Sequence, residues 1–403
     1  MRKALTALLL FSCGGWYIYA NVMRPWAAVD GTQSDFGHHY RAAQKIVAGN
    51  SPFLDPGYDY PPLAALAATS LTGVSYAAAQ KIWFALSNIF LLLAAWLTWR
   101  AAGRGWMAAC CVAVVWALGD AALENLLLGQ LGPLLVLLLA IAYTSGSMTS
   151  GAAIAAGFAL KFIPGVLGFP LLLARDRRAV ATLIATGGSL VAISWGIVIC
   201  CLAGPKGPAS AHYWMGTPAV LSWSLPSTFL RMVDPPVHGI DMPAKWLTGN
   251  DPSLVLPEEQ RFVSVGIALI TLLCGALALG RSCRWYLDRS QLPWGMAAMI
   301  SLSLAASPIC WTHYQVMQYP GMALLLAASI RERRWAMASF TLGFGALLYP
   351  LPVAVLRAYY NHYGAWTAAS PATLYFWTSI TPVACLGLFG ILVVRIRSGC
   401  TTS

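Results

Sequence analysis

LSNIFLLLAAWLTW, residues 86–99, decides the fold class of this chain. It carries no charge, follows the equally apolar 82–85, and ends against Arg100. The runs at 126–143, 263–279 and 322–329 are also free of charge. With their flanks, most reach the roughly 20 residues needed to cross a bilayer. Of the 403 residues 58% are hydrophobic and only 10% charged, against about 25% charged in an ordinary soluble domain. Apolar runs of this length exclude a soluble globular core and predict an all-α, polytopic transmembrane bundle.

The formal charge of +11 suggests nucleic acid until its placement is read. Basic residues sit in short loops between apolar runs: Arg2-Lys3, Arg100 with Arg104, Arg175-Asp176-Arg177-Arg178, 281–289, Arg331-Glu332-Arg333-Arg334, and Arg395 with Arg397. Most carboxylates occupy the other loops: Asp30, Asp35, Asp55, Asp59, Asp234, Asp241, Asp251, Glu258 and Glu259. Basic loops stay cytoplasmic, so the charge reports topology, not a nucleic-acid partner. The cysteines lie mainly in apolar runs, without CxxC spacing, and read as small hydrophobes. Residues 4–23 follow Arg2-Lys3 but lack a small-x-small cleavage site and read as a retained anchor.

The basic-loop rule orients the carboxy-terminal half, with 204–259 as a long outer loop between outgoing 180–203 and returning 262–280. Residues 293–308 and 311–329 form the next hairpin, followed by 335–356 and 374–394. The amino-terminal half leaves two routes open. In one, 151–173 is two short halves hinged at Lys161-Phe162-Ile163-Pro164, and 62–73 is a half-helix that does not cross. In the other, 62–73 crosses and 151–173 is one tilted helix, which puts Arg100 and Arg104 outside, against the basic-loop rule. Each route takes 107–122 and 126–143 as crossings and totals about twelve helices with both termini cytoplasmic. Without an internal repeat, 1–403 reads as one transmembrane domain with outer loops 24–61 and 204–259.

Ionisable residues at membrane depth cost roughly 2.5–3.5 kcal/mol even on insertion scales, so each requires a reason. Lys161 interrupts an apolar run just before Pro164 and predicts a helix break that presents an ammonium. Glu124, Asn125 and Gln130 lie between two spans, with Gly129 and Gly132 permitting close approach. Arg231 lies in the long outer loop after Trp223-Ser224-Leu225, and His313 follows Ser307-Pro308-Ile309-Cys310-Trp311-Thr312. On the preferred route all face the side that carries Asp35. A carboxylate can take a proton from an attacking hydroxyl. Lysine or arginine can neutralise a leaving phosphate, and histidine can donate to a phosphate oxygen or orient a hydroxyl. Tyr58, Tyr60, Trp223 and Trp311 offer flat faces for a sugar ring. The set suits transfer of a sugar from a lipid phosphate.

Asp35-Phe36-Gly37-His38-His39-Tyr40-Arg41-Ala42-Ala43, Gly49-Asn50-Ser51-Pro52-Phe53 and Tyr58-Asp59-Tyr60-Pro61-Pro62-Leu63 resemble the opening of glycosyltransferase family 87. The resemblance continues, in order, through Gly129-Gln130-Leu131-Gly132, the Lys-x-x-Pro of 161–164, Trp223-Ser224-Leu225 with Arg231, and the 307–313 turn. It implies a membrane-embedded C-type glycosyltransferase using a polyprenyl-phosphate sugar, with no nucleotide or essential metal cofactor expected, and with a hexose such as mannose passing to a lipid-linked or envelope glycan hydroxyl. It further implies a multi-pass protein of the cell membrane with its active site on the extracytoplasmic side. Asp35 maps onto the general base, His313 onto the histidine after the Ser-Pro-x-x-Trp turn, and Lys161 onto a donor-phosphate contact. Arg231, Gln130, Tyr60, His39 and Trp311 complete the expected substrate-binding set. His39 stands where tyrosine is common in the family.

Each residue also has a plainer reading. Asp35 can be only a helix cap, Lys161 can snorkel to the interface, and Arg231 can pair with a nearby acid. His313 can bond a turn carbonyl, and the aromatic residues can be membrane-interface anchors. Asp59 competes with Asp35 for the base, although a turn residue before Pro61-Pro62 is often structural. His38 and His39 lack a third ligand at metal-binding spacing. The rival function is a lipid or small-solute transporter, which would call for inverted repeats and a midplane site.

Overall fold

The computed structural model describes residues 2–28, 35–117, 119–207, 224–233, 258–308, 310–348, 351–352, 354–355 and 371–400. Among them the regular structure is helical, apart from an isolated parallel bridge between Asn50 and Ala203. The amino-terminal helices are α1 (Arg2–Tyr17), α2 (Arg24–Ala28), α3 (Asp35–Val47), α4 (Pro62–Ala68), α5 (Tyr76–Ala101) and α6 (Trp106–Ala117). The middle of the chain forms α7 (Asp120–Leu128), α8 (Gly132–Thr144), α9 (Ser147–Leu160), α10 (Gly168–Leu173), α11 (Arg177–Cys201) and α12 (Leu225–Val233). The remainder forms α13 (Glu258–Ser282), α14 (Leu292–Ala306), α15 (Tyr319–Arg331), α16 (Trp335–Leu348) and α17 (Pro371–Cys400).

The run at 86–99 lies inside α5, capped where the Ser75 hydroxyl accepts the Ala78 N–H at 3.4 Å. At 1.5 Å per residue α5 rises about 39 Å, enough to cross a bilayer with tilt. Five helices among the described residues are long and apolar enough to cross: 6–26, 76–101, 177–201, 260–282 and 379–399. A sixth results if α6 and the helix after it, bent by 56°, form one broken span. Against an expected polytopic bundle of about twelve helices, five or six of the described helices are long and apolar enough to cross, with several shorter apolar helices between them.

The shortening has local causes. The run at 126–143, expected as one crossing, breaks at Gly129, whose φ of +67° ends α7, and Pro133 then starts α8. The break expected at 161–164 is present: Lys161 is extended (φ −160°, ψ 124°), and the chain returns through a 3-10 turn into α10. Gly157 makes room for that return, since a Cβ there would lie 3.1 Å from the Pro164 ring. Helix α4 with its 3-10 extension reaches only Leu71, too short to cross alone. The segment 24–61, expected as an outer loop, contains the amphipathic helix α3, which buries Phe36, His39, Tyr40 and Ala43 on one face.

Helices α9 and α11 pack along each other, α5 lies against α8, and α14 lies against α17. Leu91, Leu135, Leu139, Ile154 and, on α13, Leu279 are among the fully buried side chains of the core. The basic loops meet at one end of this bundle. Arg331 donates to the Ala102 carbonyl (3.4 Å), Arg289 lies 3.9 Å from Asp176, and Arg334 donates to Ser398 (3.0 Å). Arg395 pairs with Glu332, and Arg175 lies over the Tyr286 ring. Arg104, Arg175, Arg284 and Arg333 adopt positive φ just after helix ends. That conformation costs about 1–2 kcal/mol without glycine, but leaves a cation beside helix C-termini, where it is favoured.

The other end is tied by polar contacts between distant loops. Ser51 N–H bonds the Ala203 carbonyl (2.7 Å) and Ala203 N–H the Gly49 carbonyl (3.0 Å). Lys206 donates to the last carbonyls of the α11 region, Val198 (3.1 Å) and Leu202 (2.6 Å), satisfying acceptors that the helix leaves open. The Ser227 hydroxyl on α12 bonds the Pro308 carbonyl (3.3 Å), joining the 223–231 and 307–313 motifs.

Candidate active site

Asp35 opens α3, where a carboxylate is favoured by the helix dipole. One turn later His39 shares its face, as residues four apart on a helix do. Phe36 anchors the start of α3 by stacking on Trp83 and Tyr76, with centroids 6.0 and 6.1 Å apart. Trp83 also donates its indole N–H to the Gly129 carbonyl (2.9 Å). The Gly129 turn thus rests directly against Phe36 and aims the next residue, Gln130, at the beginning of α3.

Gln130 is buried, and both ends of its amide are used inside the protein. The Tyr60 hydroxyl donates to Gln130 Oε1 (2.9 Å), and Gln130 Nε2 donates to Asp35 Oδ2. Tyr60 is held by a rigid turn: the Tyr58 hydroxyl donates to the Pro61 carbonyl (2.8 Å) and accepts the Ala65 N–H (2.9 Å). Tyr58 is only 1% exposed, so it supports the turn and offers no open face to a sugar, contrary to expectation. Tyr60 is partly exposed and retains that capacity.

Lys161 stands at the broken end of α9 with its Nζ 5.3 Å from the Tyr60 ring centroid and 3.7 Å from that of Tyr314. It lies within electrostatic range of Asp35 and Cys310. His39 packs against Tyr60 (4.4 Å between centroids) and Tyr58 (5.8 Å). Among the described residues, neither of its ring nitrogens has a hydrogen-bond partner. Burial, then the charges of Lys161 and His38, push His39 down to about 3, so its imidazole is neutral.

His313 belongs to an adjoining group. Its ring lies edge-on to Tyr314 (4.8 Å), and its Nδ1 is 3.9 Å from Glu124 Oε1. Thr312 Oγ1 lies 2.7 Å from both Glu124 oxygens, and Asn125 donates to the His313 carbonyl (2.7 Å). His313 Nε2 is buried without a hydrogen-bond partner among the described residues. Trp311 is partly buried at the head of the same 3-10 segment. Arg231 lies on α12, but its side chain is outside the described residues, as is all of Trp223. The fold therefore brings Asp35, Gln130, Tyr60, His39 and Lys161 together and joins His313 to them through Tyr314.

Two features escaped the sequence reading. Tyr314, whose ring lies nearest Lys161, has no signal beyond its position after Thr312-His313. Asp55 is buried and bonded by Arg41 Nε (2.6 Å), His38 Nδ1 (2.8 Å) and the Gly57 N–H (3.1 Å). Burial opposes its ionisation, but the bonds from His38 and Arg41 outweigh this and hold its carboxyl below the ordinary range. Among the described residues, no three His, Cys, Asp or Glu side chains gather closely enough to hold a metal ion.

No curated protein matches the chain. The model of glycosyltransferase family 87 matches residues 58–239, a stretch that includes Tyr60, Glu124, Gln130, Lys161 and Arg231. Asp35 and His313 lie on either side of it and meet it in space. A membrane bundle with a carboxylate and an ammonium at one end agrees with that match, which spans a little under half of the chain and supports its membership of glycosyltransferase family 87 and hexosyltransferase activity.

Proposed function

We propose that the chain moves a hexose, mannose being the first choice, from a polyprenyl-phosphate sugar to a hydroxyl of a lipid-linked or envelope glycan. The acceptor hydroxyl attacks the anomeric carbon as Asp35 takes its proton. The new C–O bond forms, the bond to phosphate oxygen breaks, and polyprenyl phosphate leaves with the electron pair, inverting the anomeric centre. Lys161 meets the departing phosphate, His313 donates to it or orients the hydroxyl, and Arg231 adds a second cation. Tyr60 and Trp311 offer apolar faces to the sugar. The site lies at the end of the bundle away from the basic loops, which supports a location at the extracytoplasmic face of the cell membrane. A transporter, the rival expectation, gives way to an enzyme because of the family match.

The observation that carries this reading is that the Asp35 carboxylate and the Lys161 ammonium stand in one small polar cluster without an ion pair between them among the described residues. Lys161 costs roughly 2.5–3.5 kcal/mol at membrane depth, and contact with aromatic rings returns about 0.5–2 kcal/mol. A leaving phosphate supplies the missing counter-charge at the moment it develops. The test is transfer from labelled polyprenyl-phosphate hexoses by purified protein in lipid. Asp35→Asn should lower turnover about 10²–10⁴-fold, the usual contribution of a general base. Lys161→Met should weaken use of the donor. Full transfer by Asp35→Asn would overturn Asp35 as the base, and no transfer by the wild type from any donor would overturn the reading.

A further inference from the structure

The geometry points to Tyr60 and Gln130 as positioning residues that keep Asp35 from pairing with Lys161. This inference rests on the proposed roles of those two charged residues. Asp35 and Lys161 lie within electrostatic range of each other, yet no ion pair joins them among the described residues. In a site of low dielectric, an untethered carboxylate would move onto the ammonium. Such a pair would spend the base and the phosphate-binding cation on each other before substrate arrived.

Gln130 prevents this by donating from Nε2 to Asp35 Oδ2. That bond anchors one carboxylate oxygen and leaves Oδ1 for the proton of the acceptor hydroxyl. The amide has one satisfactory orientation. With Oε1 toward Tyr60, the phenol donates to it and the NH2 group faces the carboxylate. Reversed, the amide would set its carbonyl oxygen against the carboxylate, acceptor against acceptor. Tyr60 therefore does two things at once. Its hydroxyl fixes the amide, and its ring lies 5.3 Å from Lys161 Nζ, sharing that ammonium with Tyr314. The backbone beneath Gln130 is equally fixed, through the Trp83 bond to Gly129 and the Gln130 N–H bond to the Asn125 carbonyl (2.9 Å).

The experiment is a double-mutant cycle on the full chain in lipid, with Tyr60→Phe, Gln130→Ala and the double variant. Transfer from a labelled polyprenyl-phosphate hexose and the melting temperature are measured for each. Tyr60→Phe keeps the ring beside Lys161 and removes only the hydroxyl. Each single variant should lower turnover about 10- to 100-fold, the scale of a misplaced reacting group, and should raise the donor KM. The double variant should be no worse than the poorer single one, while the melting temperature stays near that of wild type. In an Asp35→Asn background, Gln130→Ala should have no further effect. Independent, multiplying losses or wild-type turnover in both single variants would refute the positioning role, with Asp35 still the base if Asp35→Asn is inactive. Full activity of Asp35→Asn would instead remove Asp35 as the base and the positioning role with it, whereas no transfer by the wild type from any labelled donor would remove the proposed function itself.

Discussion

Replacing Gly129 with alanine should damage both stability and transfer. Gly129 has φ +67° and ψ 36°, a left-handed conformation that costs a residue with a Cβ about 1–2 kcal/mol. A Cβ there would also come within 2.5 Å of Phe36 Cβ. Phe36 is 1% exposed and stacked between Trp83 and Tyr76, so it has nowhere to go. Overpacking of this kind adds about 1–3 kcal/mol, for a total of about 2–5 kcal/mol. At about 2 °C per kcal/mol, the melting temperature in lipid should fall by about 4–10 °C. Because the same turn aims Gln130 at Asp35, turnover should fall even at temperatures where the protein remains folded. Gly188 on α11 provides the control: it is exposed, and a Cβ there would meet nothing within 4 Å. Gly188→Ala should melt at or above the wild-type temperature, since alanine stabilises a helix interior by roughly 0.5–1 kcal/mol over glycine. Equal melting of Gly129→Ala and wild type would refute the claim that this turn needs glycine. Equal losses in both variants would refute the argument from local packing.

Two further outcomes concern the neighbourhood of α3. The folded-state pKa of Asp55 is lowered, so its contribution to stability is fully present above the ordinary carboxylate value and is lost as pH falls through the lowered one. Asp55→Asn should therefore cost about 1–2 kcal/mol near neutral pH, a modest figure because Arg41 is half exposed; melting curves of variant and wild type should converge in strong acid, and a gap independent of pH would contradict this. His39, pushed down to about 3, stays neutral through the working range. His39→Phe should change the donor KM while leaving the shape of the pH–rate profile between about pH 5 and 8 intact, and loss of a titrating limb there would show that His39 carries charge.

The break at 161–164 was legible in the sequence because it depends only on neighbours: a lysine in an apolar run, followed by proline, ends a helix wherever the helix lies. The break inside 126–143 was hidden because glycine alone does not announce a left-handed turn. It becomes necessary only once Phe36 packs against it. Gln130 was expected to meet substrate, but its amide is occupied by Tyr60, 70 positions away, and Asp35, 95 positions away. Glu124 meets Thr312 across 188 positions, with no periodicity linking them.

By itself the sequence determined that this chain is a helical membrane protein, where its basic loops lie, and which residue types could support sugar transfer. Those properties follow from hydrophobicity and charge, which are summed along the chain and need no partner. Tertiary structure decided which crossings are whole and which are broken. It also decided that Tyr58 supports a turn and is closed off from solvent, and that Asp35 and Lys161 come within electrostatic range without an ion pair among the described residues. Those outcomes depend on side chains meeting across helices, where a hydrogen bond forms or fails over a fraction of an ångström.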